Sequence, residues 1–275
     1  MRAGLSFRPE LAPWLATRPS EVRCLELGVD AALNASHGFR ARQIRRWPTA
    51  LHAPRLAVAS DFSATTDLER VLSAVHAADP LWIGAYLGSR YRPETELSYP
   101  HPASVDGDSL GRAVANCRRL IEAGVRPLLV ENVAAFGILA DHLSPAEYIN
   151  RLCDESGCGL LLDVTTLTVD KRLGFDPRRW LWDVDPSHVA AMRLRTTSRQ
   201  GSTHAPTFAD GLVADESWVL AREIAARTSA ATVVLHCRGE CPTIDALRTE
   251  LRLTAAVDRF VTPIEALPSA ARALV

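Results

Sequence analysis

Lysine is nearly absent from this 275-residue sequence. Lys171 is the single example, and arginine supplies the rest of the 31 basic residues. Net charge is also close to nothing, at −1, so no overall field draws the chain to nucleic acid or to an anionic membrane surface. No stretch approaches the roughly eighteen apolar residues of a membrane-spanning helix. Met1-Arg2-Ala3-Gly4 runs into LSFRPEL without the apolar core of a secretory signal. The expectation is a cytoplasmic protein with neither nucleic acid nor membrane as partner. The six cysteines, Cys24, Cys117, Cys153, Cys158, Cys237 and Cys241, make no CxxC pair. That argues for reduced thiols rather than a disulfide framework or a zinc ribbon. Cys237 and Cys241, near a strand end, have the best claim among them to redox or metal work. Also missing are a P-loop, a GxSxG elbow, an HExxH helix and a GxGxxG turn. These absences remove the common signatures of nucleotide, serine-hydrolase, zinc-protease and dinucleotide chemistry.

What remains is an ordinary globular composition, 47% hydrophobic and 23% charged, in a chain long enough for one sizeable core. Short apolar runs alternate with longer amphipathic ones. The strand-like runs are GLSFR (4–8), RCLELG (23–28), TALHAP (49–54), LWIGAYL (81–87), PLLVENV (127–133), GLLLDV (159–164), AAMRLR (190–195) and TVVLHC (232–237). Helical periodicity lies between most of them. ATTDLERVLSAVHAA repeats apolar residues at Leu68, Val71, Leu72 and Val75 behind the cap residues Thr66 and Asp67. SPAEYINRLCDESG carries Ser144 as N-cap, Pro145 in the first turn, Glu147 in capping-box position and Gly157 at its end. Further helices are expected over GDSLGRAVANCRRLIEAG, DESWVLAREIAART and TIDALRTELRLTAAVDRF. Strands alternating with helices imply parallel βαβ units. Eight of them predict a (β/α)8 TIM barrel, α/β in class, as one domain over 1–275. An open doubly wound sheet is the alternative, weakened by the missing Gly-rich turn. The long segments 88–107 and 196–215 each follow a strand and belong on the barrel's active face.

Each proposed strand ends in a polar side chain: Arg8, Glu26, His52, Tyr86, Glu131, Asp163, Arg193 and His236. In a barrel these ends converge on one mouth, where a charge must be paired, hydrogen-bonded or metal-bound. His52, Glu131, Asp163 and His236 make a plausible oxygen-and-nitrogen metal shell. A buried ion-pair network with Arg8 and Arg193 accounts for the same residues. Asn132, beside Glu131, orients a ligand or satisfies backbone. His101, His204 and Asp210 lie in the long segments within reach of the mouth. Arg40, Arg42, Arg45 and Arg46 read as a solvated face.

The pieces SFRPEL, LELG, WPTALHAP, LLVENV, LSPAEYINRLCDESGCGLLLDV and GFDP, in that order, resemble the multinuclear non-haem iron-dependent oxidative enzymes. The resemblance covers about nine-tenths of the chain and is most specific from Leu128 to Pro177. It implies a (β/α)8 barrel holding two or three irons at its mouth. The implied activity is oxidation of cysteine or other residues of ribosomally made peptides with molecular oxygen, often with a partner protein that presents the substrate. Residue by residue, the family's ligands fall on His52, Glu131 and Asp163. Tyr86 stands where the family has a second histidine, Thr165 and Thr166 where it has asparagines, Arg193 where it has a histidine, and His236 where it has a glutamate. Its Asp-Thr-His motif has no counterpart around Thr207 to Asp210. With several ligand positions replaced, the resemblance implies one or two irons on His52, Glu131, Asp163 and His236 rather than three. Three functions follow as expectations: an iron-dependent oxidative enzyme acting on a peptide, a degenerate member that binds a peptide or partner protein, and a metal-dependent barrel of the xylose-isomerase type. The residues name no catalytic group.

Overall fold

The computed structural model describes residues 1–34, 46–60, 65–89, 101–102, 104–133, 143–171, 174–196, 212–237 and 241–257. His204, Asp210 and most of the arginine cluster at 40–46 lie outside these residues. Eight parallel strands form the sheet: β1 (Arg2–Ser6), β2 (Cys24–Gly28), β3 (Thr49–Ala57), β4 (Ile83–Tyr86), β5 (Leu128–Glu131), β6 (Gly159–Asp163), β7 (Val189–Thr196) and β8 (Thr232–Cys237). Each pairs with its neighbours in chain order, and β1 pairs with both β2 and β8. That last pairing closes the barrel and removes the open-sheet alternative. All eight expected strands are present, with ends moved by a few residues. β1 stops at Ser6, so Arg8 lies beyond the strand rather than at its tip.

Five helices match the sequence periodicity: α3 (Thr65–Ala78), α4 (Gly107–Glu122), α5 (Pro145–Ser156), α8 (Asp215–Arg227) and α9 (Ile244–Ala256). Ser144 Oγ accepts the Glu147 N–H at 3.1 Å, and Gly157 ends α5 at φ +76°, where a side chain would be strained. The cap of α4 is Asp106, with its carboxylate accepting the Ser109 N–H at 2.7 Å. Four short helices were not expected: α1 (Ala12–Ala16), α2 (Val29–Asn34), α6 (Val164–Lys171) and α7 (Pro177–Asp183). Each is too short to declare a 3.6-residue period.

Two apolar regions hold the barrel. The larger lies between strands and helices, with Leu25, Leu51, Leu160, Leu162, Leu194 and Leu235 meeting helix residues such as Leu110, Ile149 and Leu251. The smaller plugs the lumen: Ala50, Trp82, Leu129, Leu161, Ala191 and Val234. Side chains alternate across a strand. The next inward positions are therefore His52, Gly84, Glu131, Asp163, Arg193 and His236. An apolar floor thus sits directly beneath a polar layer at the C-terminal mouth.

Candidate functional site

Strand register sets that polar layer. Ser6 is level with Glu26, Tyr86 with Glu131, Asp163 with Arg193, and Arg195 with His236. Gly84 lies level with His52 on the adjoining strand. A Cβ on Gly84 would come within 3.3 Å of the imidazole and 3.1 Å of Leu161, so glycine here leaves the ring its room. Glu131, Asp163 and Arg193 are fully buried, and Glu26 is 1% exposed. Placing such groups in the interior costs several kcal/mol apiece unless partners surround them.

The partners are two arginines. Arg193 directs Nη2 to Glu26 Oε2 and Nη1 to Glu131 Oε2, the latter at 2.5 Å. Arg195, two residues on and therefore on the same face, reaches Glu131 Oε1 with Nη2 at 3.0 Å and ion-pairs with Asp163 through Nε. His52 Nε2 lies 2.8 Å from Glu131 Oε2 and 3.2 Å from Arg193 Nη1, and it is the carboxylate that accepts its proton. Ser6 Oγ donates to Glu26 Oε1 at 3.1 Å and lies 3.0 Å from His236 Nδ1. Asp163 Oδ1 accepts the Thr166 N–H at 2.8 Å and so caps α6. Asn132 Oδ1 accepts the Asp163 N–H at 2.7 Å, and its Nδ2 donates to the Asp163 carbonyl. Both hydrogen bonds satisfy backbone groups.

The titration behaviour follows this wiring. Burial opposes ionisation of Glu131, but Arg193, His52 and Arg195 outweigh it and hold its carboxyl below the usual range. Burial likewise opposes Glu26, and Arg193 with His236 and His52 brings it well below the usual range. Asp163 goes the other way: burial and the Glu131 charge raise it despite Arg195. Arg193 and Arg195 thus hold both glutamates ionised, while Asp163 is the carboxyl in which burial outweighs its partners. Burial lowers His236, with the Arg193 charge adding to it, so that ring is neutral at pH 7. Burial and Glu131 push the Tyr86 phenol up to about 12, and its ring meets His52 edge-on, centroids 5.1 Å apart.

The resemblance implies iron on His52, Glu131, Asp163 and His236, and these residues do share one mouth. They do not fit the metal in this arrangement. Both oxygens of Glu131, of Glu26 and of Asp163 already face protein donors or guanidinium nitrogens. A cation placed among them would also meet two buried positive charges, and the nearby carboxylates keep both guanidiniums protonated even against burial. Among the described residues, no group of three or more His, Cys, Asp or Glu side chains is arranged to hold a metal ion.

Arg8 is not part of the inner ring. It is partly exposed, pairs with Glu10 at 3.2 Å and approaches the Cys237 carbonyl at 3.5 Å. His101 lies in a two-residue antiparallel pairing with Ser89, beyond the end of β4. Sequence reasoning missed Arg195 and Ser6; Thr165, placed where the family has an asparagine, accepts the Arg195 N–H at Oγ1 at 2.8 Å. The signal for Arg195 was present, since arginines two apart in the strand segment RLR must share a face.

Comparison with known proteins agrees with this architecture. A UPF0276 protein of Caulobacter vibrioides is 27% identical over 218 residues, covering 77% of this chain and 76% of its own. A UPF0276 protein of Bordetella parapertussis is 26% identical over 267 residues, covering 93% and 92%. Among solved structures, D-psicose 3-epimerase from Clostridium cellulolyticum H10 superposes with a TM-score of 0.56 at 10% identity, over 96% of this chain and 93% of its own. A putative xylose isomerase from Rhodospirillum rubrum gives 0.56 at 13%, over 96% and 100%. Likeness at that identity speaks for the barrel fold alone. Among the described residues no helix is long and apolar enough to cross a membrane. The model of the family described as RiPP precursor modification enzyme MbnB/TglH/ChrH matches residues 2–259, and this chain belongs to that family.

Proposed function

We propose that this chain is a cytoplasmic family member that binds a ribosomally made precursor peptide, or the partner that presents one, without an iron cluster at its mouth. The observation that carries the reading is the buried guanidinium of Arg193 between Glu26 and Glu131. It supplies from within the chain the positive charge that a metal would bring. The peptide class comes from the family's description as precursor modification enzymes. The test is elemental analysis of protein grown with iron and purified without oxygen, with thermal melts before and after chelation. This reading expects far less than one iron per chain and a melt that chelator leaves unchanged. One or more irons per chain, together with a melt that falls on chelation, would overturn it.

The competing reading is an iron-dependent oxidative enzyme modifying a peptide, with one or two irons. It draws on the family match and on His52, Glu131, Asp163 and His236 sharing one mouth. It requires both arginines to leave the carboxylates, exposing buried negative charge to the incoming metal. The same analysis decides between the two. The xylose-isomerase-like reading has only the fold in its favour.

A further inference from the structure

Among the described residues only two large hydrophobic side chains stand exposed, Trp182 at 74% and Val219 at 39%. They lie on neighbouring helices, α7 and α8. Helix α7 turns Trp180 into the core, and a step of two residues, about 200° round the helix, sends Trp182 outward. Arg227 of α8 stacks on the indole, its guanidinium carbon 4.2 Å from the ring centroid. Arg178 of α7 holds Glu223 of α8 through two hydrogen bonds, at 3.0 and 2.6 Å. A paired contact of that kind fixes orientation as well as distance. Trp182 is therefore held on a fixed platform with most of its indole open to solvent. A lone exposed hydrophobic side chain needs no explanation, but an anchored tryptophan set among arginines has the composition of an interface core.

The charges of α7 point the same way. Arg179 and Asp183 are exposed and four residues apart, and so share a face with Trp182. Among the described residues neither side chain has an ion-pair or hydrogen-bond partner. They also stand in the wrong order for the helix. Asp176 caps α7, so Arg179 sits in its first turn and Asp183 in its last. The helix dipole favours acid first and base last. The order found costs α7 a little stability and secures nothing within the chain. It does make the face self-complementary. In two copies of α7 laid antiparallel about a two-fold axis level with Leu181, Arg179 of each lies opposite Asp183 of the other. A face of one sign would ask for an unlike partner, whereas this one carries both signs, spaced to answer each other.

We infer that the outer face of α7 and α8 is a two-fold interface between copies of this chain, centred on Trp182. Each Trp182 keeps its own Arg227 against the ring. Arg179 of the second copy meets Asp183 and the open side of the adjoining indole, as a salt bridge and a second cation–π contact. A stable interface buries about 800 Å² per partner, more than the seven residues of α7 offer, and the thirteen-residue α8 with its exposed Val219 extends the face. The contact is isologous, so it closes as a dimer and does not propagate. It lies on helices outside the barrel, and the inference holds whatever fills the mouth.

The test is sedimentation velocity of the full-length protein over a dilution series. At the higher concentrations the wild type should sediment as a dimer, twice the 30.0 kDa of one chain. Trp182→Ala should raise the dimer dissociation constant by about tenfold or more. Arg179→Asp and Asp183→Arg each set like charges opposite one another and should do the same. Combining the two should bring the dissociation constant back towards the wild-type value. Both charge changes suit the helix dipole, so the fold should be kept, and circular dichroism melts check this for every variant. A wild type that stays monomeric at every concentration would give this face to a different protein and overturn the inference. So would a dimer that Trp182→Ala leaves intact, or single charge variants that do not weaken it, or weaken it with no recovery in the double variant.

Discussion

Replacing Arg193 by methionine keeps most of the side-chain volume and removes one buried positive charge. Glu26 is left with Ser6 and the neutral ring of His236, while Glu131 keeps Arg195 and His52. Breaking a buried pair from one side costs about 3–5 kcal/mol, and both glutamates are at most 1% exposed, so solvent screens little of it. At about 2–4 °C per kcal/mol for a chain of this size, the melting temperature at pH 7 should fall by roughly 6–20 °C. The deficit has a pH signature. In the wild type both glutamates titrate below the unfolded value of about 4.3. Their pairing therefore contributes stability above that value, and loses it as pH falls through the folded pKa. In the variant, burial, the largest influence on Glu26, no longer meets the Arg193 charge, and its folded pKa rises above the unfolded one. Its protonated form then stabilises the fold at low pH, and that contribution is lost as pH rises. The difference between the two proteins should be widest at pH 7 and should narrow towards pH 4.5. Urea titrations followed by circular dichroism at both pH values measure it. A variant within about 2 °C of the wild type at pH 7, or a deficit that ignores pH, would refute the view that Arg193 is the counter-ion of this mouth.

Arg193→His combined with Arg195→Leu removes both positive charges and restores one imidazole. Iron per chain after anaerobic purification should rise above that of the wild type, and an unchanged iron content would show that the arginines are not what excludes metal. Asp163→Asn keeps an oxygen to cap α6 and neutralises the one carboxyl that burial has already raised, whereas Glu131→Gln strips charge from a group both arginines hold ionised. Chemical denaturation should therefore find the Asp163 variant the milder of the two. Glu250, in α9, accepts the Trp218 Nε1–H at 3.1 Å, and burial pushes it up to about 7. Its folded pKa exceeds the unfolded one, so its contribution is present below about 4.3 and lost as pH rises through about 7. Glu250→Gln should accordingly match the wild type at pH 5 and melt higher at pH 8, and equal melts at pH 8 would count against a buried, ionising Glu250.

The barrel was legible in the residues because its causes are local. Alternating apolar runs and capped amphipathic segments need no distant partner to be recognised, and eight strand–helix units of that length close in one common way. The convergence of His52, Glu131, Asp163 and His236 was legible for the same reason, since strand ends in a closed parallel barrel share a mouth. Which cation balances them was not. Arg193 pairs with Glu26 across 167 positions of chain and with Glu131 across 62. The choice between a bound metal and a guanidinium is made by rotamers and by the stagger of strands that meet only in the closed barrel. Asp163 shows the same division at one residue. Its place at a strand tip follows from GLLLDV, but its service as the cap of α6 depends on a helix too short to announce itself. Arg195 joins the network because β7 runs on past Arg193 to Thr196, and the extent of a strand is decided by the neighbours it pairs with.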